Sequence, residues 1–166
     1  IMDNIRFSEK INDLAVFNAK PFIDFRGRYI ESFNCAFFEK HFNLNFVQDD
    51  FSISKKNVLR GLHGDAETWK LVTCVFGEIY FVVADMRENS DTFLSWDSFT
   101  LSPEKADFVL VPPGFANGHL VLSEQAVFQY KQTTYYGTKQ FTVKHDDPRL
   151  NIFWPNGQFI KSERDS

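Results

Sequence analysis

Short runs rich in Val, Ile, Phe and Tyr recur along this chain with turn-forming residues between them, at residues 71–76, 79–85, 108–111, 119–122 and 127–132. β-Branched and aromatic side chains suit a pleated, half-buried surface, and runs of this length read as strands. Gly77, between Phe76 and Glu78, reads as a tight turn joining two of them; residues 87–91 and 101–105 read as polar loops. Such a pattern predicts a meander or roll, closed as an all-β barrel or jelly roll so that no long sheet edge is left open. Helices should be few and short. Residues 34–42 predict one, with apolar positions on one side and Glu39 and Lys40 on the other.

The chain has 166 residues and no internal repeat or Gly/Ser-rich linker, so residues 1–166 are expected to form one domain with a sizeable core. Residue 1 is Ile and residue 2 is Met, which places the expected natural start at Met2, with no leader segment after it. The longest apolar run, 79–84, is far shorter than the roughly 20 residues needed to cross a bilayer. Cys35 and Cys74 read as two reduced, packed thiols, and a cytoplasmic location fits. The net charge of −4, with both signs interspersed, argues against nucleic acid or an anionic membrane as partner. Any phosphate must therefore meet a local cluster of cations. The 20 phenylalanines are expected mostly in the core and sheets.

The densest candidate segment runs Val58-Leu59-Arg60-Gly61-Leu62-His63 and continues at Trp69-Lys70-Leu71-Val72. Arg60, His63 and Lys70 in one small window suggest an anion site; as unrelated residues they would be two surface charges and a hydrogen-bonded core histidine. Strand alternation puts Arg60 and His63 on opposite faces unless Gly61 permits a bulge. It also puts Phe128, Tyr130 and Gln132 on one face, so that Tyr130 can point into a barrel. A resident metal is not expected: Asp65 and Asn117 stand where further histidines would be needed, and the ligand set around His63 is incomplete.

Taken in order, these pieces resemble the dTDP-4-dehydrorhamnose 3,5-epimerase family of cupins, nearly end to end. The matching elements are Asp24-Phe25-Arg26-Gly27 with Glu31 and Phe33, Phe46-Val47-Gln48, the 58–63 segment and Lys70-Leu71-Val72. Further on come Asp85, Thr92-Phe93, Trp96, Pro113-Gly114-Phe115-Ala116, Tyr130, Tyr135-Tyr136, Asp147-Pro148 and Trp154-Pro155. The resemblance implies a cupin jelly-roll barrel and a cofactor-independent epimerase of a nucleoside-diphosphate 4-keto-6-deoxysugar. Hydrogens beside a ketone are acidic because their removal gives an enolate, so inversion needs a base on one face and an acid on the other. By resemblance His63 is the base and Tyr130 the opposing acid. Lys70 stabilises the developing oxyanion, and Asp165, in Ser162-Glu163-Arg164-Asp165, pairs with His63. Arg60 and Arg26 are the candidates for the diphosphate, and Glu31 and Gln48 for the nucleoside. Asn117 and His119 are candidate substrate-binding residues beside them. The family's Asp-x-Arg-Gly segment reaches a neighbouring subunit's site, which implies a homodimer with an exchanged N-terminal segment.

Several positions depart from the family pattern. His63-Gly64-Asp65 stands where the family has His-Tyr-Gln, Asp50 replaces an asparagine, Asn117 a histidine and His119 an aromatic residue. Glycine at 64 leads to the expectation of a roomier sugar pocket, resembling the branch that acts on GDP-linked 4-keto-6-deoxyheptoses for bacterial capsule. The alternative substrate is the dTDP-linked 4-keto-6-deoxyhexose of the rhamnose route. Two readings from other classes stand beside the epimerase: a non-catalytic sugar-nucleotide-binding cupin, and a metal-dependent cupin enzyme.

Overall fold

A computed structural model describes residues 3–136 and 139–166; the expected start at Met2 lies outside them. The strands are β1 (Asp3–Phe7), β2 (Ala15–Asn18), β3 (Phe22–Asp24), β4 (Gly27–Tyr29), β5 (Gln48–Lys55), β6 (Leu59–Asp65), β7 (Lys70–Phe76), β8 (Ile79–Asp85), β9 (Trp96–Leu101), β10 (Asp107–Val111), β11 (Phe115–Val121), β12 (Gln125–Gln132) and β13 (Gln140–Thr142). Each run read as a strand is one, and the run at 119–122 starts earlier, at Phe115. Helix α1 (Cys35–Phe42) is capped by the Asn34 side chain, which accepts from the Phe37 N–H at 3.1 Å, and ends at Asn43 in the left-handed region. A 3-10 turn (Glu163–Asp165) closes the chain.

Two antiparallel sheets lie against each other, one in the order β1-β2-β10-β7-β12-β5 and the other β13-β6-β11-β8-β9; β3 and β4 form a separate hairpin. This is the cupin jelly roll. Gly77 does not make a hairpin between β7 and β8, because these strands belong to different sheets. The turn carries the chain across the barrel, and the roll, not the meander, is the correct reading. Crossing after nearly every strand puts β7, β8, β10, β11 and β12 into contact through one core of Val72, Phe81, Val83, Val109, Phe115 and Phe128.

The phenylalanines are placed as expected. Phe17, Phe38 and Phe108, with Phe33, Phe37, Phe42 and Phe46 against them, pack α1 and its flanks onto the outer face of the six-stranded sheet. Cys74 is buried, but Cys35 lies exposed on α1, so only one of the two thiols is packed. On the other side, Leu62, Val82, Ala84 and Ala116 are covered by Val143, Leu150 and Trp154 of the C-terminal segment. That segment is pinned by Trp154 Nε1–H to the His145 carbonyl at 2.9 Å, and by Leu59 N–H to the Ile160 carbonyl at 3.0 Å. It thereby brings residues 162–165 under β6. No described helix is long and apolar enough to cross a membrane.

Candidate active site

A cavity of about 250 Å³ opens at one end of the barrel, with Arg60 and His63 of β6, Lys70 of β7, Asn117 and His119 of β11, Phe128 and Tyr130 of β12, and Arg164 and Asp165 of the C-terminal turn among its lining. Arg60 and His63 share this face because β6 bulges. Asn117 pairs with His63 and His119 with Arg60, so Gly61 and Leu62 together stand opposite the single residue Gly118. The bulge needs both glycines. Gly61 has φ 114°, and a Cβ there would lie 2.7 Å from the Asn117 carbonyl oxygen, while a Cβ on Gly118 would lie 2.8 Å from that of Arg60.

His63 Nε2 and Asp165 Oδ1 are 2.7 Å apart, and the other Asp165 oxygen accepts from the Gly61 N–H at 3.2 Å. Asp165 is therefore a buried, doubly engaged carboxylate. A carboxylate only accepts, so Nε2 carries the hydrogen and Nδ1 is left as the ring's proton-accepting nitrogen. Burial holds the His63 pKa below its ordinary value; Asp165 pulls it back up, while Arg164 and Lys70 add to the lowering. The imidazole is accordingly neutral at pH 7 and still has a fixed anion to balance the charge it gains on taking a proton.

Tyr130 pairs across the sheet with Val72 on one side and Asp50 on the other. Burial, joined by the nearby Asp50 carboxylate, pushes its pKa up to about 12, which keeps the phenol protonated. Lys70 Nζ lies 5.5 Å from the centre of the Tyr130 ring, and burial lowers its pKa against the opposing pull of Asp65. Arg60 is exposed, with Nε donating to Ser54 Oγ at 3.0 Å, and Asn117 Nδ2 donates to the His63 carbonyl at 3.2 Å.

Seven of the ten expected residues thus meet in one cavity: His63, Lys70, Tyr130, Asp165, Arg60, Asn117 and His119. Gln48 does not line it, although its amide donates to Asp50 at 3.0 Å and its carbonyl accepts from the Tyr136 N–H at 3.1 Å. Arg26 and Glu31 do not line it either. Arg26 sits exposed at the β3–β4 turn, bound to Asp24 at 2.6 Å. The sequence reasoning passed over Ser52, whose inward face follows from alternation with Asp50 and Ser54. It also passed over Arg164, whose only signal was its place beside Asp165. Among the described residues no group of three or more His, Cys, Asp or Glu is arranged to hold a metal ion.

The expectation drawn from Gly64 is corrected. Residue 64 points away from the cavity, where a Cβ would run into the Phe141 ring and come within 2.5 Å of the Phe115 carbonyl oxygen. Its missing side chain makes room for Phe141 of β13, not for a larger sugar.

A barrel holding a neutral histidine paired with a carboxylate, a protonated tyrosine, a half-buried lysine and arginines at the mouth points to the class: a cupin isomerase. The profile of the dTDP-4-dehydrorhamnose 3,5-epimerase family matches residues 8–166. A dTDP-4-dehydrorhamnose 3,5-epimerase of Shigella flexneri is 41 % identical over 162 residues, covering 94 % of this chain and 90 % of the relative. A Legionella pneumophila dTDP-6-deoxy-D-glucose 3,5-epimerase, solved in complex with dTDP-4-keto-L-rhamnose, superposes with a TM-score of 0.92 at 40 % identity over 99 % of this chain and 90 % of that one. A Bacillus anthracis dTDP-4-dehydrorhamnose 3,5-epimerase, with TDP and PPi bound, gives 0.92 at 32 % identity, covering 99 % of this chain and 97 % of its own. The chain belongs to the dTDP-4-dehydrorhamnose 3,5-epimerase family. It is an isomerase, an epimerase of a nucleoside-diphosphate 4-keto-6-deoxysugar.

Proposed function

We propose that this protein inverts a carbon beside the 4-keto group of a dTDP-linked 4-keto-6-deoxyhexose, with His63 and Tyr130 acting from opposite faces of the ring. The observation that carries this reading is the His63–Asp165 pair sharing one cavity with a phenol held protonated. His63 takes the proton from the carbon, Asp165 stabilises the resulting imidazolium, and the Lys70 ammonium stabilises the enolate oxygen. The Tyr130 hydroxyl then gives its proton to the opposite face. Arg60 and Arg164, both exposed at the mouth, suit the diphosphate, because a guanidinium offers a planar fork of donors. The dTDP-linked sugar is favoured over a GDP-linked heptose because the Shigella, Legionella and Bacillus relatives are dTDP-sugar enzymes by name. Gly64, which motivated the heptose, is outside the cavity.

A homodimer belongs to the same reading. The β3–β4 hairpin carries Phe22, Ile23, Phe25 and Tyr29 exposed, Phe25 at 97 %, and the edge strand β5 exposes Phe51 and Ile53 while the far end of β7 exposes Val75 and Phe76. Apolar surface of this extent favours a second copy, with Arg26 and Glu31 delivered to the partner's cavity. The test of function is proton NMR in deuterium oxide with dTDP-4-keto-6-deoxyglucose and with a GDP-linked 4-keto-6-deoxyheptose, following the signals at C3 and C5. Loss of signal with the dTDP sugar supports the proposal and counts the inverted centres. Loss with the GDP sugar alone reassigns the substrate, and binding without exchange of either makes the protein a non-catalytic sugar-nucleotide binder.

A further inference from the structure

Charge is unevenly distributed around the cavity. Arg60 and Arg164 are exposed, whereas Asn117 and His119 on β11 are 8 % and 3 % exposed, and Ser52 lines the same space from β5. The two guanidiniums are exposed, whereas the side chains that β11 gives to the cavity are buried and carry no charge. Among the described residues neither ring nitrogen of His119 is hydrogen-bonded to the protein, although the ring is almost wholly buried. Its face stacks on Phe128 at 4.3 Å with the planes 24° apart, so the nitrogens at its edge remain to meet whatever fills the cavity.

Burial, with Arg60 and His63 nearby, pushes the His119 pKa down to about 3. The ring is therefore uncharged at working pH and is no phosphate ligand; one nitrogen donates and the other accepts. A hydroxyl has the same double capacity. Register places Asn117 opposite His63 and His119 two residues on, opposite Arg60, a displacement of about 7 Å along the strand. That distance is within reach of a sugar hydroxyl when the reacting carbon sits at His63.

We propose that His119 is a specificity-determining residue that hydrogen-bonds a hydroxyl of the sugar and selects 4-keto-6-deoxysugars carrying it over analogues that lack it. This rests on the functional reading above. An aromatic residue at 119 would keep the stack on Phe128 and leave that hydroxyl without a partner.

The experiment uses ¹⁵N-histidine-labelled full-length protein, with His119 assigned by loss of its signals in His119→Gln. It compares dTDP with dTDP-glucose, and GDP with GDP-mannose, each at saturation. The His119 nitrogens should shift with a sugar nucleotide and stay put with the matching diphosphate, while His63 responds as the neighbouring site. Response of His63 with an unmoved His119 overturns the inference alone; no response of either to both sugar nucleotides removes the functional reading and the inference together. Kinetically, His119→Phe should lower kcat/KM about tenfold on the hydroxyl-bearing 4-keto sugar and less than about twofold on the analogue lacking that hydroxyl. His119→Gln should recover part of the loss. Equal losses on every analogue, with Tm unchanged, would reduce His119 to packing.

Discussion

Replacing Asp165 by Asn changes the chemistry at one oxygen and little else. The amide oxygen can still accept from the Gly61 N–H, now 3.2 Å from the carboxylate, so the bulge that aligns Arg60 with His63 keeps its support. The 2.7 Å contact to His63 Nε2 loses its charge and, with an amide NH₂ facing the ring, also reverses direction. A hydrogen bond to a charged group contributes about 1.5–3 kcal/mol, and if all of it serves the imidazolium formed on proton abstraction, kcat falls about 10- to 150-fold. The reversed tautomer, which puts the hydrogen on Nδ1, adds to that loss. Asp165 also raises the His63 pKa against the dominant lowering by burial, so the variant's acidic limb in kcat/KM must move to lower pH. The assay is the pH profile of solvent deuterium wash-in, with Tm measured alongside. Exchange within twofold of wild type and an unmoved acidic limb would refute the pairing argument.

Tyr130→Phe should slow delivery of the second proton by about 10²- to 10⁴-fold while His63 still washes deuterium into the substrate; full-rate inversion would make Tyr130 structural. Gly64→Ala should cost about 1–3 kcal/mol through collision with Phe141 and the Phe115 carbonyl, read as a lower Tm with KM unchanged, and an altered KM at constant Tm would return residue 64 to the cavity. For His119 the folded pKa lies near 3 and the unfolded value near ~6.5, so the unfolded chain takes the proton first as pH falls. Stability present above pH ~6.5 is then lost by at most about 1.4 kcal/mol per unit down toward pH 3, in urea titrations that His119→Phe should flatten.

Strands, the helix at residues 34–42 and the candidates at 60, 63, 70 and 130 were legible because alternation, helical spacing and residue chemistry are local properties. Gly77 shows the limit. Its turn was readable, but whether β7 and β8 pair or separate depends on which sheet each joins, and that is settled by contacts far along the chain. Gly64 shows it again: a small residue beside a catalytic candidate reads as space, and only the position of Phe141 shows the space to be filled from the other side.

The sequence by itself determined an all-β barrel, its polar candidates and its family, since these rest on residue identity and spacing. Only the tertiary structure decided that Arg60 and His63 face one cavity, by what path Asp165 comes to lie 2.7 Å from His63, and that Arg26 and Glu31 do not line that cavity. The reason is physical: a one-residue bulge reverses the facing of everything beyond it. A contact between residues 102 positions apart is likewise set by the packing of the segment between them, not by its composition.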